Sequence, residues 1–403
     1  MKTLRELYRI GHGPSSSHTM APARAALQFG RQCPEATRFR VTLFGSLAST
    51  GKGHFTDQVL GDALGPRSVD IVWKPDEQHG DCPTAFLMEA LDASGTVLEA
   101  RDEASLGGGT LRSDGDTSDI YPAGGWRDIL KFCEDTGKAP WEYALQFEPD
   151  DIWTYLDKVW TAMCDAIERG LDTQGILPGG LELPRKAGLF YRRAKTLNAF
   201  FRGESLLAAY AYAVAEENAC GGRIVSAPTC GSCGVLPAVL FYLRDEMEID
   251  RDDILQALCT AGLTGNVVKA NGSLSGADVG CQGEVGTACA MAAAAAAQLL
   301  GGTPRQIEYA AEMGLEHHLG LTCDPVRGFV QIPCIERNAH AATRAVSCAG
   351  FTLLSDGIHR ISFDDVVEVM LETGHALSNA YKETSSGGLA MVYEQAITRG
   401  NRS

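Results

Sequence analysis

The sequence predicts an α+β N-terminal domain followed by a larger all-helical domain, and three observations support this division. Strand and helix signals alternate through the first 124 residues. The stretch LGGGTLRSDGDTSDIYPAGG is rich in Gly and Asp and breaks that pattern, and nearly every segment after it has helical periodicity. We therefore expect two domains, residues 1–124 and residues 125–403, each with a substantial core.

Three segments predict the strands of the first domain. RFRVTLFGSLA alternates along the chain, with Phe39, Val41 and Leu43 on one face. SVDIVWKP has the composition of a second strand, and TAFLMEALDASGTVLEARDE predicts a hairpin that turns at residues 93–95. The first domain is therefore expected to contain β-structure as well as helices.

Helix signals dominate the second domain. GTPRQIEYAAEMG begins with Thr303 as the predicted N-cap, Pro304 at the first helical position and Gln306 completing a capping box. SFDDVVEVMLETG repeats that start with Ser362 and Asp365. The earlier segment EPDDIWTYLDKVWTAMCDAIERGL places a set of apolar residues on one helical face: Ile152, Tyr155, Leu156, Val159 and Trp160.

Charge and composition argue against several classes of partner. The formal net charge is -16, with 45% hydrophobic and 21% charged residues, so neither nucleic acid nor an anionic membrane is expected as the main partner. A small-molecule substrate, even an anionic one, is compatible with this charge because one local pocket can oppose the global sign. The most apolar run, ACAMAAAAAAQLLGG, is too short to span a bilayer and predicts a buried helix.

The cysteine content predicts a reducing compartment. Thirteen cysteines, an odd number, are scattered through a large chain whose first stretch, MKTLRELYRIGHGPSSSHT, lacks an apolar signal core. We therefore expect a cytoplasmic protein in which most cysteines are small buried hydrophobic residues and a minority are metal ligands. A symmetric homodimer is the oligomeric state expected for such a chain.

Gly-rich breaks interrupt the helical region and carry few Lys or Glu residues, a composition that lets backbone pass closely around a compact bound object. They are LPGGLELPRKAG, SAPTCGSCG, NGSLSGADVGCQGE, LTCDPVRG and KETSSGGLA.

Three cysteines, Cys281, Cys323 and Cys334, lie in irregular Gly- and Pro-containing sequence within these breaks or beside them. Cys281 immediately precedes a helix predicted to open near Gln282, where free N–H groups favour an anionic ligand set. Thiolates on loops suit an iron–sulfur cluster, whereas a Cys₄ zinc site more often has paired C-x₂-C arms. On the residues alone, three unrelated buried thiols are the alternative.

A further pair, Cys230 and Cys233, forms a C-x-x-C motif in APTCGSCGVLPAVL. The motif lies among helices rather than in the βαβ context of a thioredoxin-like site, so we interpret both cysteines as lining or packing residues. Ligation of the same metal is the alternative.

The segment GPSSSHT groups four hydroxyls and an imidazole behind a Gly-Pro turn. One interpretation is a cap for a helix that starts near Met20. The other is a cradle for a carboxylate, built from hydroxyl and N–H donors at a helix N-terminus with His18 beside them. The residues alone do not decide between the two.

The segment GSLASTGKGHFTD superficially resembles a phosphate-binding loop. Gly45 and Gly51 enclose five residues instead of four, and Gly53 replaces the Ser or Thr that would hold magnesium, so kinase or NTPase activity is not expected. His54 remains, on a Gly-flanked turn after a strand with Asp57 nearby. Histidine commonly transfers protons near neutral pH, and the alternative is a structural histidine.

Taken in order, these segments resemble the iron–sulfur-dependent L-serine dehydratases over nearly the whole chain. GPSSSHT and TGKGH-TD are similar to the β-type segment of that family. Five motifs are similar to its α-type segment: LPGGL, SAPT-G--G-LPAVL, SGADVGCQGEVG, GLTCDPV-G-VQIPCIERNA and YKETS-GGLA. Long irregular motifs that contain cysteine and follow one another in the correct order make this resemblance highly specific.

The resemblance implies a β domain fused to a helical α domain that holds a 4Fe–4S cluster with one iron free of cysteine. Carried over by position, the ligands are Cys281, Cys323 and Cys334. The implied chemistry is Lewis-acid elimination, in which the open iron binds the substrate hydroxyl while a base removes the α-proton. The resulting aminoacrylate would hydrolyse to pyruvate and ammonia.

Within this resemblance, His54 is the expected base and His18 the second choice. The site would lie between the domains. Pyridoxal phosphate is not expected, because Lys52 is the only lysine flanked by glycines and we interpret it as structural. The residues expected to contact the substrate are Ser15, Ser16, Ser17 and Thr19 for the carboxylate, and Asn271 and Ser273 to complete the pocket.

Two departures from the family pattern bear on substrate and cluster. Many members have Asn-Gly-Ala-Ala-Gly after APT, where this chain has CGSCG; if that loop faces the substrate, a substrate other than serine stays open as an alternative. Some relatives end in a cysteine that occupies the open iron, whereas this chain ends TRGNRS. We therefore expect water or substrate at that iron.

Two other functions stay open at this point. Related fused proteins dehydrate a hydroxymethyl dicarboxylic acid such as 2-(hydroxymethyl)glutarate, and Arg185, Lys186 or Arg327 could in principle meet its second carboxylate. A non-catalytic iron–sulfur or redox-sensing protein would instead use the surplus cysteines.

Overall fold

The computed structural model describes residues 1–115 and 118–399, without the side chains of residues 199 and 200. A small mixed α/β region is followed by a larger and mostly helical region, which confirms the predicted fold class. The strands, in chain order, are β1 Arg9–His12, β2 Arg38–Phe44, β3 Ser68–Lys74, β4 Ala85–Leu91, β5 Val97–Ala104 and β6 Arg223–Ser226.

The first region is built on a four-stranded sheet with the order β3-β2-β4-β5. Strands β2 and β3 are parallel, so a crossover must join them, whereas β4 and β5 form the predicted hairpin. Alternate residues of β2, Phe39, Val41 and Leu43, are fully buried, as their spacing predicted. The helices of this region are α1 Ala21–Gln32, α2 Gly45–Thr50 and α3 Thr56–Leu64.

The second region is a bundle packed around one alanine-rich helix. Its helices are α4 Trp126–Thr136, α5 Pro140–Leu145, α6 Ile152–Asp172, α7 Ala187–Ala194, α8 Ala199–Ala219, α9 Val235–Met247, α10 Arg251–Asn271, α11 Gly276–Val279, α12 Thr287–Leu299, α13 Pro304–Glu316, α14 Cys334–Leu353, α15 Phe363–Ala376 and α16 Gly388–Thr398.

Helix α12 lies at the centre of this bundle, with α10, α13 and α14 against it. Ten of its residues from Ala288 to Ala297 are fully buried, as expected for the most apolar run of the chain. Small side chains allow neighbouring backbones to approach closely. A methyl group on Gly314 of α13 would lie 3.1 Å from the backbone of Ala290. Every helix within residues 1–115 and 118–399 is too short or too polar to cross a lipid bilayer.

The predicted helix starts of α13 and α15 are confirmed. Thr303 Oγ1 accepts from the Gln306 N–H while the Gln306 side chain accepts from the Thr303 N–H. Ser362 and Asp365 form the same reciprocal pair at α15. These caps satisfy N–H groups that a helix cannot pair internally.

The first twelve residues pack into the helical region. Strand β1 pairs antiparallel with β6, with Arg9 opposite Ser226. Leu4 and Tyr8 are fully buried in the core of the helical bundle, and the Tyr8 hydroxyl donates to the Leu258 carbonyl at 2.8 Å. As a result, the segment GPSSSHT, which follows directly in the chain, begins at the junction of the two regions. We propose that the domain boundary still lies near residue 124, with the first twelve residues as an arm of the first domain.

Replacing Leu4 with Ala should destabilise the protein by about 2–5 kcal/mol, because it empties a fully buried position where the N-terminal arm enters the helical core. Leu354→Ala is the matched control, because its side chain is 91% exposed and its removal should change stability by less than about 0.5 kcal/mol. Urea denaturation of both variants measures the difference. Equal midpoints would mean that the arm does not contribute to the core.

Candidate active site

The segment GPSSSHT forms a buried turn at the start of α1. Residues Ser16–Met20 make one π-helical turn that leads into α1, and Ser15 is its N-cap. The Ser15 hydroxyl accepts from the His18 N–H at 3.0 Å and lies 3.3 Å from the Ser17 hydroxyl. The capping geometry therefore places several hydroxyls together inside the protein instead of on its surface.

Two imidazoles face each other beside this turn. The rings of His18 and His54 are 4.5 Å apart between centroids, and both side chains are buried. His54 lies between α2 and α3 of the first region. Thr19 donates to the His54 carbonyl and Thr56 donates to the His18 carbonyl, each at 2.7 Å. These two reciprocal hydrogen bonds hold the two histidine backbones together.

Burial determines the protonation of both rings. It lowers the pKa of His18 to about 4, and burial with the neighbouring His18 lowers the pKa of His54 well below its ordinary value. Ser17 Oγ lies 2.9 Å from His18 Nδ1 and Ser46 Oγ 3.3 Å from its Nε2, whereas His54 Nδ1 has no hydrogen-bond partner among the described residues. Both imidazoles are therefore neutral near pH 7 and able to accept a proton.

Three buried thiols lie on the helical side of the same site. Cys281 precedes the π-helical turn Gln282–Gly286 that leads into α12, and Cys323 lies in the loop after α13. Cys334 is the first residue of α14, so the predicted irregular backbone is wrong at this position: Pro333 precedes the helix as its N-cap instead of ending one. The Cys281 and Cys323 sulfurs and a Glu284 oxygen lie within 4.8 Å of one another.

Two groups join the cysteines to one another and to the histidines. Arg337, one turn into α14, donates to the Thr322 carbonyl at 2.6 Å and contacts Cys281. Glu383 donates its N–H to the Cys323 carbonyl at 2.7 Å, while its Oε1 lies 3.7 Å from His18 Nδ1 and 3.9 Å from His54 Nε2. The histidines of the first region and the cysteines of the second therefore share one buried site.

The electrostatics of the site favour bound cations. A hydrogen bond from Cys323, helped by Arg337, lowers the pKa of Cys281, whereas the pKa values of Cys323 and Cys334 are raised. Burial and the Glu383 charge raise the pKa of Glu284 to about 8, and burial and Cys281 raise that of Glu383 to about 8. Several acidic groups thus crowd one space, and Arg337 is the guanidinium that contacts them among the described residues.

The substrate residues predicted from sequence divide between two places. The hydroxyl segment Ser15–Thr19 lies at the histidines. The Ser273 carbonyl packs closely against Gly283, next to the Cys281 turn: a methyl group on Gly283 would lie only 2.6 Å from it. The Asn271 amide instead donates to the Gly124 carbonyl at 2.6 Å and lines a different pocket on the surface.

The C-x-x-C loop borders the site as well. Cys230 and Cys233 are fully buried, and Cys230 Sγ lies 3.1 Å from Met20 Sδ. A methyl on Gly231 would lie 3.4 Å from Glu284 Oε1. The loop at which this chain departs from the family pattern is therefore adjacent to the acidic groups.

A cleft of about 980 Å³ lies between the two regions near this site, although neither His18 nor His54 nor any of the three cysteines lines it. Its walls include residues next to both histidine segments, Gly13 and Lys52 with Phe55, and on the helical side Gly179 and Phe329. Lys52 Nζ lies over the Trp73 ring at 5.6 Å, consistent with a structural lysine.

Two neutral imidazoles on an α/β layer, facing thiols and carboxyl groups of a helical bundle, define an enzyme whose active site lies between two regions of one chain. Comparison with known families identifies which enzyme class this is. Residues 69–390 match the family model "serine dehydratase alpha chain", and residues 3–65 match "serine dehydratase beta chain". The chain belongs to the serine dehydratase family, whose members are lyases.

Full-length relatives support this assignment. The L-serine dehydratase of Streptomyces coelicolor is 39% identical, with 96% of this chain and 98% of the relative aligned. L-serine dehydratase 1 of Escherichia coli is 38% identical over 97% of this chain and 99% of the relative. The L-serine dehydratase of Helicobacter pylori is 33% identical, with 96% of this chain and 98% of the relative aligned.

Sequence reasoning missed four residues of this site: Ser46, Glu284, Arg337 and Glu383. Three of them lie inside stretches already noted for their cysteines or glycines, in CQGE, CIERNA and YKETS. Charged residues so close to irregular, Gly-rich backbone were the available signal.

Replacing Gly53 with Ala should destabilise the protein by about 1–3 kcal/mol, because the new methyl would lie 2.6 Å from the Gly328 backbone and neither chain can move aside easily. This contact joins the His54 turn to the loop between Cys323 and Cys334. Gly61→Ala is the control: it lies in α3 with nothing within 4 Å and should stabilise by about 0.5–1 kcal/mol. Thermal denaturation should show a lower melting temperature for Gly53→Ala and a higher one for Gly61→Ala. A Gly53→Ala variant as stable as the wild type would contradict the close packing.

Proposed function

We propose that this protein dehydrates and deaminates L-serine to pyruvate and ammonia. The observation that carries the proposal is the position of Glu383, which faces both neutral imidazoles and is hydrogen-bonded through its backbone to Cys323. A proton acceptor and a set of soft metal ligands thus share one buried space. Family membership and the names of the full-length relatives favour the same substrate.

The proposed cofactor is a 4Fe–4S cluster in which one iron has no cysteine ligand. Serine dehydratases with these two domains depend on iron–sulfur chemistry and are not of the pyridoxal-phosphate type. Cys281, Cys323 and Cys334 would hold the cluster, because buried thiolates are the ligands that its iron ions require and the nearby Arg337 guanidinium offsets part of their negative charge. When bound, the cluster supplies a Lewis acid for the substrate hydroxyl.

His54 is the proposed base. Its ring is neutral, and its Nε2 faces the space shared with His18 and Glu383, so this nitrogen would accept the α-proton. The hydrogen bond from Thr19 to its carbonyl fixes the turn that presents the ring. His18 is the second candidate, but hydroxyls lie within hydrogen-bonding distance of both of its nitrogens.

The hydroxyls of Ser15, Ser16 and Ser17 are the proposed partners of the substrate carboxylate, because they are buried at a helix N-terminus beside the base. Thr19 would act indirectly, since it accepts from the Ser15 N–H and donates to the His54 carbonyl. The position of Ser273 is compatible with the pocket, whereas the surface location of Asn271 gives no support for substrate binding.

The alternatives are not favoured. A dicarboxylic substrate would need a free cation, but Arg185 pairs with Glu217, Lys186 with Glu336 and Arg327 with Glu394. A non-catalytic iron–sulfur sensor would not require two neutral imidazoles beside the thiols, and the named relatives are enzymes.

Three finer features complete the proposal. The open iron would carry water or substrate; the stretch TRGNRS, which prompted this expectation, includes residues 400–403, which lie outside the described part of the chain. The protein would act as a symmetric homodimer in the cytoplasm.

Anaerobically purified protein should contain iron and acid-labile sulfide and should form pyruvate from L-serine but not turn over 2-(hydroxymethyl)glutarate. Cys323→Ser should lose the iron, because the thiolate is the ligand the cluster requires. Cys82→Ser, in the first region and half-buried, is the control and should keep both iron and turnover. Protein with neither iron nor sulfide after anaerobic purification would exclude this mechanism.

Replacing His54 with Ala should lower kcat for L-serine by about 100- to 10,000-fold, the usual contribution of a general base. Iron content and visible absorption should not change, because His54 is not a proposed ligand. His317→Ala removes a half-exposed imidazole that pairs with Glu316 and should leave kcat unaltered. If His54→Ala turns over normally and His18→Ala does not, the two assignments must be exchanged.

A further inference from the structure

Glu383 is a buried carboxyl group without a cationic partner. Its Oε1 lies 3.7 Å and 3.9 Å from nitrogens of His18 and His54, which is too long for hydrogen bonds, and both rings are neutral. Within residues 1–115 and 118–399, no Lys or Arg pairs with this carboxylate and no donor hydrogen-bonds to it. Burying an unpaired carboxylate is unfavourable, so a bound cation would favour the ionised form of Glu383 over the neutral acid.

The backbone of Glu383 is held in a strained conformation. Its φ is 56°, in the left-handed region that residues with a side chain rarely adopt. Its N–H donates to the Cys323 carbonyl at 2.7 Å, and its carbonyl accepts from the Ser46 hydroxyl at 3.1 Å. Strain of this kind persists where the surrounding structure enforces it, and such positions cluster at functional sites.

The location of this carboxylate matches one end of an α-amino acid. In serine the ammonium group is attached to the same carbon that loses its proton, so its acceptor must lie beside the base. Glu383 lies beside His54 Nε2. Glu284 lies within 4.8 Å of the Cys281 and Cys323 sulfurs, at the end where the hydroxyl of the substrate would be bound.

The Arg337 guanidinium does not neutralise this position. Arg337 lies with the cysteines, where it donates to the Thr322 carbonyl and pairs with Asp324 at 3.6 Å. The positive charge that complements Glu383 is therefore expected from a bound group, and the α-ammonium group of the substrate supplies one.

We propose that the Glu383 carboxylate binds the α-ammonium group of the substrate and so selects α-amino acids over hydroxy acids that lack the amino group. The inference rests on the proposed serine dehydratase function. It assigns to Glu383 a binding and specificity role, distinct from proton abstraction by His54.

The test compares L-serine with 3-hydroxypropanoate, which keeps the carboxylate and the hydroxyl but lacks the ammonium group. Glu383→Gln should raise KM for L-serine by about 10- to 100-fold, the effect of losing a charged hydrogen bond. The inhibition constant of 3-hydroxypropanoate should change by less than about threefold. Iron content and visible absorption should equal those of the wild type.

Two further variants make the comparison specific. Glu284→Gln removes the second carboxyl group of the site and should not reduce the preference for L-serine over 3-hydroxypropanoate. Glu312→Gln neutralises a buried carboxyl group of α13 and should leave KM and kcat unaltered. If Glu383→Gln has no turnover, the preference is measured by ligand binding instead. The degree to which L-alanine and propanoate each stabilise the anaerobic holoprotein against unfolding gives the ratio of their affinities, and these two ligands also differ only in the ammonium group.

A Glu383→Gln variant that keeps the wild-type preference, or that weakens both ligands equally, would overturn the proposal. Failure of the proposed function is a separate result: the wild-type protein would then form no pyruvate from L-serine. If the wild type turns over L-serine and Glu383→Gln keeps the wild-type selectivity, only the ammonium subsite is rejected.

Discussion

One short stretch of backbone pairing holds the active site together. Cys323 accepts from the Glu383 N–H at 2.7 Å and donates its own N–H to the Tyr381 carbonyl at 2.8 Å. The Ser46 hydroxyl of α2 donates to the Glu383 carbonyl. The segment around Glu383 thus bridges a cysteine loop of the helical bundle and a helix of the α/β layer. Because these groups are buried, leaving any of them unpaired would be costly, and the pairing is strongly maintained.

Burial also sets the chemistry of the site. The two imidazoles are neutral because a charged ring would lose its hydration inside the protein, and the same effect raises the pKa values of both carboxyl groups. Arg337 supplies positive charge on the cysteine side only. Positive charge and thiols therefore lie at one end of the site and proton acceptors at the other, and this separation suits an elimination that needs a base and a separate electrophile.

Much of the fold followed from local patterns. The strand β2 and the capped starts of α13 and α15 were predictable, because alternation and capping boxes depend on residues close in sequence. The pairing of β1 with β6 was not, since two four-residue strands more than 200 positions apart carry no periodicity of their own. The helix that begins at Cys334 was also missed, because a proline that stops one helix can equally precede another.

By itself, the sequence determined the fold class, the presence of a β-type and an α-type segment, and the presence of cysteines, hydroxyls and histidines that can bind metal, bind substrate or accept a proton. Those properties reside in local composition and motif order. Only the tertiary structure decided that His18, His54 and Glu383 share a space, that Asn271 lies elsewhere, and that Arg337 lies with the thiols. The reason is physical: distances between residues far apart in sequence, and the loss of water that shifts their protonation, exist only after the two regions have packed together.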